Sequence, residues 1–315
     1  MTPAGLIALI ALAGLFLGAL GGWLVSRRIA RAHPPDGEFL EIDGTRLHYR
    51  RNGDPAHPAI LVLHGAASNL EEPYLALGEA FAGEHVIWLD RPGLGWSGRP
   101  KSRRWSPADE AALIVKFLDR LDIREAVVIG HSWGGAIAMR LAMDHPGRVT
   151  GLVLVAPALS AWIGEAAWFN AASGWPLVGP LLTRVIIPLA GQGQLESGAR
   201  KAFHPEPVPE DYVARSRLPL ILRPGNWIAN ARDMMQVNPH LEMQEERYQD
   251  IALPTVFLAG KADTVVWTHR HSGQVAARMA HAELRLISGA GHNLHHHHPG
   301  AVLEAAIAVR ERAQC

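Results

Sequence analysis

The sequence predicts an α/β protein: a mostly parallel central sheet flanked by helices, with a helical cap insertion and an N-terminal transmembrane helix. Three observations carry this. Short continuous apolar runs such as "AILVLHG", "HVIWLD" and "EAVVIG" alternate with helical patterns, as expected of strands buried on both faces of a parallel sheet. Between Ala158 and Asp250 that alternation stops, and tryptophans, prolines and helical patterns take its place. Near the start, "AGLIALIALAGLFLGALGGWLV" holds no charged side chain and reaches the roughly 20 residues a helix needs to cross a bilayer.

The apolar stretch, residues 4–25, reads as a retained anchor. Trp23 sits near its end, where an amphipathic ring favours the headgroup level, and Arg27, Arg28 and Arg31 follow. Those arginines place the C-terminal side, with the catalytic domain, in the cytoplasm of a single-pass protein. A cleavable signal peptide is the rival reading, with "ARA" at Ala30–Ala32 as its cleavage site. Such a signal wants basic residues before a shorter apolar core, and "MTP" supplies none. Gly14, Gly18 and Gly22 recur at the spacing of a helix dimerisation face, or simply belong to an Ala/Gly-rich anchor. Residues 26–37 read as a linker, because the tandem prolines Pro34 and Pro35 cannot continue a helix.

A first part of the core is expected over residues 38–157. "EFLEIDGTRLHYRRNGD" reads as a β-hairpin turning at Asp43-Gly44. "SPADEAALIVKFLDRLDI" opens with a helix cap at Ser106, Pro107 at the first helical position and acidic residues in the first turn. Residues 158–250 form the cap, since a stretch this long is not a plausible structureless loop. Residues 251–315 return to the core, with strands in "LPTVFLAG" and "AELRLISG" and a last helix from about Pro299.

Composition excludes some classes. Thirty basic residues balance thirty acidic ones, so no nucleic-acid partner is implied. Cys315 is the only cysteine, so no intrachain disulfide and no cysteine zinc site can form. The sequence calls for no cofactor. The run His295–His298 can bind metal adventitiously, but no cysteine or carboxylate cluster accompanies it in sequence, so no dedicated metal site is expected. Oligomeric state is left open.

"GHSWGG", Gly130–Gly135, lies where a strand is expected to turn into a helix. A G-x-S-x-G in that context pushes the serine out of the sheet on a tight turn, and the small flanking residues let strand and helix approach. Ser132 is therefore the candidate nucleophile. A serine hydroxyl needs a base oriented by a carboxylate. Asp263 follows the strand in "VFLAGKADTVV", and His292 follows the last strand in "LISGAGH". His292 is preferred over His295–His298 because it directly follows the strand-ending glycines. The backbone N–H groups of Ala66 and Trp133 are the expected oxyanion donors. His64 and His131 read as structural.

Together "LVLHGAAS", "WLDRPGLGWSGRP", "VVIGHSWGGAIAMRLAMDHPGRVTGLVLVAPA", "LAGKADTVV" and "GAGHNLHHHHP" resemble the α/β-hydrolase superfamily, in its capped, serine-nucleophile branch. The resemblance spans about Glu38 to Arg312. It implies the α/β-hydrolase fold, Ser132 as nucleophile, Asp263 as acid, His292 as base, Ala66 and Trp133 as oxyanion donors, and a structural role for Asp90 and Ser97. Relatives that open epoxides or remove halides carry Asp at the elbow; Ser132 makes this chain resemble the esterases, lipases, C–C bond hydrolases and cofactor-free haloperoxidase-like members instead. The expected activity is cleavage of small-molecule carboxylic esters, lipophilic ones included; the apolar residues of the tryptophan-rich cap either line an acyl pocket or, for most of them, simply pack the cap onto the core. Two alternatives stand beside it. A C–C bond hydrolase would use the same triad and need a cap cation such as Arg215, Arg217 or Arg223, and a non-catalytic binding module would use the scaffold alone.

Overall fold

The computed structural model describes residues 2–100, 105–162 and 166–314; Cys315 lies outside them. Eight strands form one sheet in the order β1-β2-β4-β3-β5-β6-β7-β8. They are β1 (Glu38–Ile42), β2 (Thr45–Asn52), β3 (Ala59–Leu63), β4 (Val86–Leu89), β5 (Ala126–His131), β6 (Val149–Val155), β7 (Thr255–Gly260) and β8 (Ala282–Ile287). The β1–β2 hairpin and its pairing onto β4 are antiparallel; every other pairing is parallel. Asp43 and Gly44 both have positive φ, as a tight two-residue hairpin turn requires.

Strands β3, β4, β5 and β7 are buried along their whole length, and their side chains alternate between two cores. Leu61, Leu63, Ile87, Leu89 and Val128 pack with Ile114, Phe117 and Ile137. The last three come from α3 (Pro107–Arg120) and α4 (Trp133–Asp144). Ile60, Val62, Trp88, Val127 and Ile129 pack on the other face with Leu77 and Val302, from α2 (Glu71–Leu77) and the final helix. Ser106 caps α3 through a reciprocal pair with Asp109, which satisfies two orphan N–H groups.

Between β6 and β7 the described residues contain helices and no strand: α5 (Trp168–Ala172), α6 (Val178–Ala190), α7 (Gln192–Phe203), α8 (Pro224–Met235) and α9 (Val237–Glu245). The final helix, α10, spans Pro299–Ala313. A π-turn interrupts α6 over Leu182–Ile186. Pro188 is the physical cause, because it has no N–H to give the carbonyl of Arg184 one turn back. Arg91, fully buried, joins core to cap: it pairs with Glu110 at 2.7 Å and with Asp233 of α8 at 3.3 Å.

The N-terminal helix, α1, runs from Pro3 to Ala32. Residues 26–32, expected to begin a linker, continue the helix, because nothing breaks it before the prolines at 34 and 35. The glycine spacing also has a partner within the chain. A Cβ at Gly22 would run into the carbonyl oxygen of Arg184, and Gly18 and Gly21 lie against Val185 and Leu189. These small residues let α1 lie directly on α6. Gly14 has nothing within 4 Å. Lower down, Ile29 and Val25 pack with Leu220, Leu222 and Ile187.

Candidate active site

β5 passes into α4 with only Ser132 between them. That reversal puts Ser132 at φ 52°, ψ −120°, a region costly for a residue with a Cβ. Three backbone hydrogen bonds hold it there. Its N–H donates to Val155 O at 3.0 Å, and its carbonyl accepts from Gly135 at 2.9 Å and Ala158 at 3.0 Å. Gly134 must lack a side chain, since a Cβ there would meet the carbonyl oxygen of Leu63. Ser132 is half-buried beside neighbours that are almost all buried, and it borders a cavity of about 790 Å³.

His292 borders the same cavity. Its Nδ1 lies 2.8 Å from Asp263 Oδ2. The other oxygen of Asp263 accepts the N–H groups of Val265 and Val266 at 2.8 and 2.9 Å. With the carboxylate so occupied, Nδ1 carries the proton and Nε2 keeps its lone pair. The cap reaches the histidine loop directly: the N–H groups of His292 and Asn293 both donate to Ala202 O, in α7, at 3.1 Å. Among the described residues Ser132 Oγ has no hydrogen-bond partner. Such bonds are commonly long before substrate arrives.

Ala66 and Trp133 also border the cavity, and neither backbone N–H donates to another described group. Trp133 is the first residue of α4, so its N–H is one of the four that a helix leaves unmatched. The Ala66 loop is held from the cap. Ala67, at φ 51°, donates its N–H to Asn230 Oδ1 of α8 at 2.6 Å. No local pattern in the sequence marks Asn230 for this task.

His64 and His131 are both buried and held by neighbouring groups. Nδ1 of His64 bonds the carbonyl of Gly65, and its Nε2 accepts from Arg91 N–H. Burial, helped by the Arg91 charge, lowers its pKa to about 4. The His131 ring lies tilted against those of His292 and His295, with centroids 4.9 and 4.4 Å away. Asp90 closes its loop by accepting from Leu70 and Trp96 N–H and bonding His48, and Ser97 donates to the Asp90 carbonyl.

The histidine run has a definite architecture. Nε2 of His295 and of His296 lie 2.9 and 2.7 Å from one oxygen of Glu72. His297 and His298 bond Pro207 O and Glu206. The run thus ties α2 and the cap to the start of α10. The three ligand-type atoms of Glu72, His295 and His296 fall within 4.8 Å of one another, with the two imidazoles bonded directly to the carboxylate. Glu72 is pulled well below the usual carboxylate range; burial opposes this, and the two imidazoles outweigh it. A carboxylate partner for this run was not legible, because Glu72 lies 223 positions from His295.

The cavity wall is mostly apolar, with Glu72, His131, Gln194 and Asn293 among its polar members. Trp162, Trp168, Phe169, Leu182, Ile186 and Trp227 contribute from the cap. Among the described lining residues there is no Arg or Lys. Arg217 is engaged with Glu71 and Asp36, Arg223 lies over Trp96, and Arg215 is exposed.

Residues 58–299 match the alpha/beta hydrolase fold family. The chain belongs to that family. Over 120 residues this alpha/beta hydrolase is 36% identical to the dihydrolipoyllysine-residue acetyltransferase component of the acetoin cleaving system of Cupriavidus necator. That match covers 38% of the chain, which spans about a third of that relative's length (32%). A solved structure of Est816, described as an N-acyl homoserine lactone degrading enzyme, is 26% identical, with a TM-score of 0.65 over 86% of this chain and 99% of Est816. A membrane phospholipase A, described as a bacterial virulence factor, shares 20% identity with a TM-score of 0.68, covering 99% of this chain and 98% of its own. At that identity the likeness concerns the fold.

Proposed function

We propose that this alpha/beta hydrolase is a membrane-anchored serine hydrolase that cleaves carboxylic esters, with Ser132, His292 and Asp263 as its triad. One observation carries the reading. A serine held at a strained turn shares a cavity with an imidazole whose Nδ1 is fixed by a carboxylate, beside two backbone N–H groups without partners. His292 Nε2 removes the Ser132 proton as Oγ attacks the ester carbonyl. The N–H groups of Ala66 and Trp133 take the negative charge on the former carbonyl oxygen. His292 then protonates the leaving alcohol. Water, deprotonated by the same nitrogen, releases the acid from the acyl-enzyme.

The apolar wall favours a neutral, lipophilic acyl ester, and the lactone degraded by Est816 is itself a cyclic ester. C–C bond cleavage of a keto-acid is disfavoured, because the substrate carboxylate would meet no cation in the described lining. Retention of α1 is supported by its packing: removal would uncover Ile187, Leu220 and Leu222 of the cap. The three arginines after the apolar stretch favour a cytoplasmic catalytic domain.

Fluorophosphonate labelling, followed by a panel of p-nitrophenyl esters of graded chain length, tests the reading. Ser132→Ala abolishes both labelling and hydrolysis if it holds. Hydrolysis that survives this substitution sinks it, and absence of labelling in the unsubstituted protein returns the chain to a binding module.

A further inference from the structure

Between Ala166 and Leu195 the only charged residue is Arg184. In this stretch Leu177 is 89% exposed, Trp168 72% and Trp175 55%, and Ile186 and Leu189 are about half exposed. A water-soluble domain rarely shows so many large apolar side chains together. The patch does not stand alone. It lies against α1, sealed at Gly18, Gly21 and Gly22, and α1 itself exposes leucines, isoleucines and Phe16 along its length. The two apolar surfaces are one continuous surface.

The level of contact on α1 fixes a depth. Arg27 lies over the Trp23 ring at 4.7 Å, a pairing suited to the headgroup layer. Gly18 stands seven residues before Val25, or about 10 Å along a helix at 1.5 Å per residue. With α1 spanning the bilayer, α6 therefore reaches about that far below the surface, the depth at which amphipathic helices rest. The other face of the same elements, through Phe169, Leu182 and Ile187, forms the cavity wall beside Ser132, and Trp168 and Ile186 border both the patch and the cavity.

We propose that residues 168–190 are embedded in the bilayer beside α1, and that the ester substrate is a bilayer-resident acyl lipid entering the cavity past α5 and α6. This rests on the membrane-anchored reading above. The occupant is lipid because the patch is continuous with a helix that has the length and mean hydropathy (2.3) of a membrane span. The wall separating lipid from the nucleophile's cavity is then a single layer of helix. An acyl chain passing it exchanges one apolar environment for another, without crossing water.

The test uses the full chain in phosphatidylcholine/phosphatidylglycerol vesicles, with Cys315→Ser and one fluorophore-labelled cysteine at Phe16, Leu177 or Glu304. Nitroxides on the lipid acyl chains are expected to quench the labels at 16 and 177 and to spare 304, which is exposed on α10. Quenching at 16 without 177 overturns the inference and leaves the anchor standing; quenching at neither overturns the anchor as well. Protection of 177 from both lipid nitroxide and aqueous iodide, with cross-linking between copies, identifies a second copy of the chain as the occupant and also overturns it. As a functional arm, Leu177→Glu lowers turnover of a vesicle-borne acyl ester by about tenfold or more, as a carboxylate resists the acyl region. Its turnover of a soluble short-chain ester stays within about twofold, since Leu177 lies outside the cavity lining. Equal losses on both substrates overturn the proposal.

Discussion

Asp263 Oδ2 lies 2.8 Å from His292 Nδ1, and Asp263 Oδ1 is held by two backbone N–H groups. The carboxylate is fixed before it meets the imidazole, so it can select one tautomer. Asp263→Asn keeps the shape and replaces that oxygen with a group that cannot hold the Nδ1 proton. We expect kcat on p-nitrophenyl esters to fall about 10³–10⁴-fold, with little change in KM. A loss under tenfold would deny Asp263 this part.

In the proposed mechanism Asn230 acts on the reaction through Ala67. Its Oδ1 fixes the loop that presents the Ala66 N–H, so it is a positioning residue. Removing an oxyanion donor outright costs about 10²–10³ in kcat. Asn230→Ala leaves the donor present but loose, and about a 10–100-fold loss in kcat with a smaller change in KM is expected by the same scale. Asn230→Asp keeps an acceptor oxygen and should recover much of the rate. Equal losses in both variants would assign Asn230 to packing alone.

The strand-helix frame and the three candidate triad residues were legible because each rests on a short local pattern: an apolar run, then glycines, then one polar residue. Asn230, Glu72 and Ala202 were not, because each acts on a partner far along the chain and nothing beside it in sequence announces that partner. The glycines of α1 show the intermediate case. Their spacing promised a close approach, and geometry alone showed that the neighbour is the chain's own cap. The histidine run likewise declared donors without declaring Glu72.

Stability should depend on pH through buried imidazoles, His64 and His271 among them. His64 is lowered from 6.5 to about 4 by burial and then by the Arg91 charge, and His271 to about 4 by burial and then by Arg270. Both are neutral in the folded chain. As pH falls through 6.5 the unfolded chain takes up protons that the folded chain does not, so stability is lost between pH 6.5 and about 4 and is fully present above. At about 1.4 kcal/mol per unit, each imidazole removes about 2 kcal/mol by about pH 5. Urea midpoints across that range check the trend, and His64→Asn should make the slope shallower. An unchanged slope would show that His64 titrates alike in both states.

Gly22 and Gly14 separate two uses of the same spacing. A dimer face built on small residues would need both. Packing of α1 on α6 needs Gly22, whose missing Cβ makes room for the Arg184 carbonyl, and is indifferent to Gly14, which has open space around it. Because the obstacle at Gly22 is backbone, no side-chain rotation relieves it, and α1 must shift away from the cap. Gly22→Leu is therefore expected to cost about 1–3 kcal/mol, the range for forcing extra carbons into a packed seam. It should appear as a lowered Tm in nanodiscs and faster proteolysis in the cap, while Gly14→Leu leaves both unchanged. Equal effects at the two positions would move the seam from the cap to a second copy of the helix.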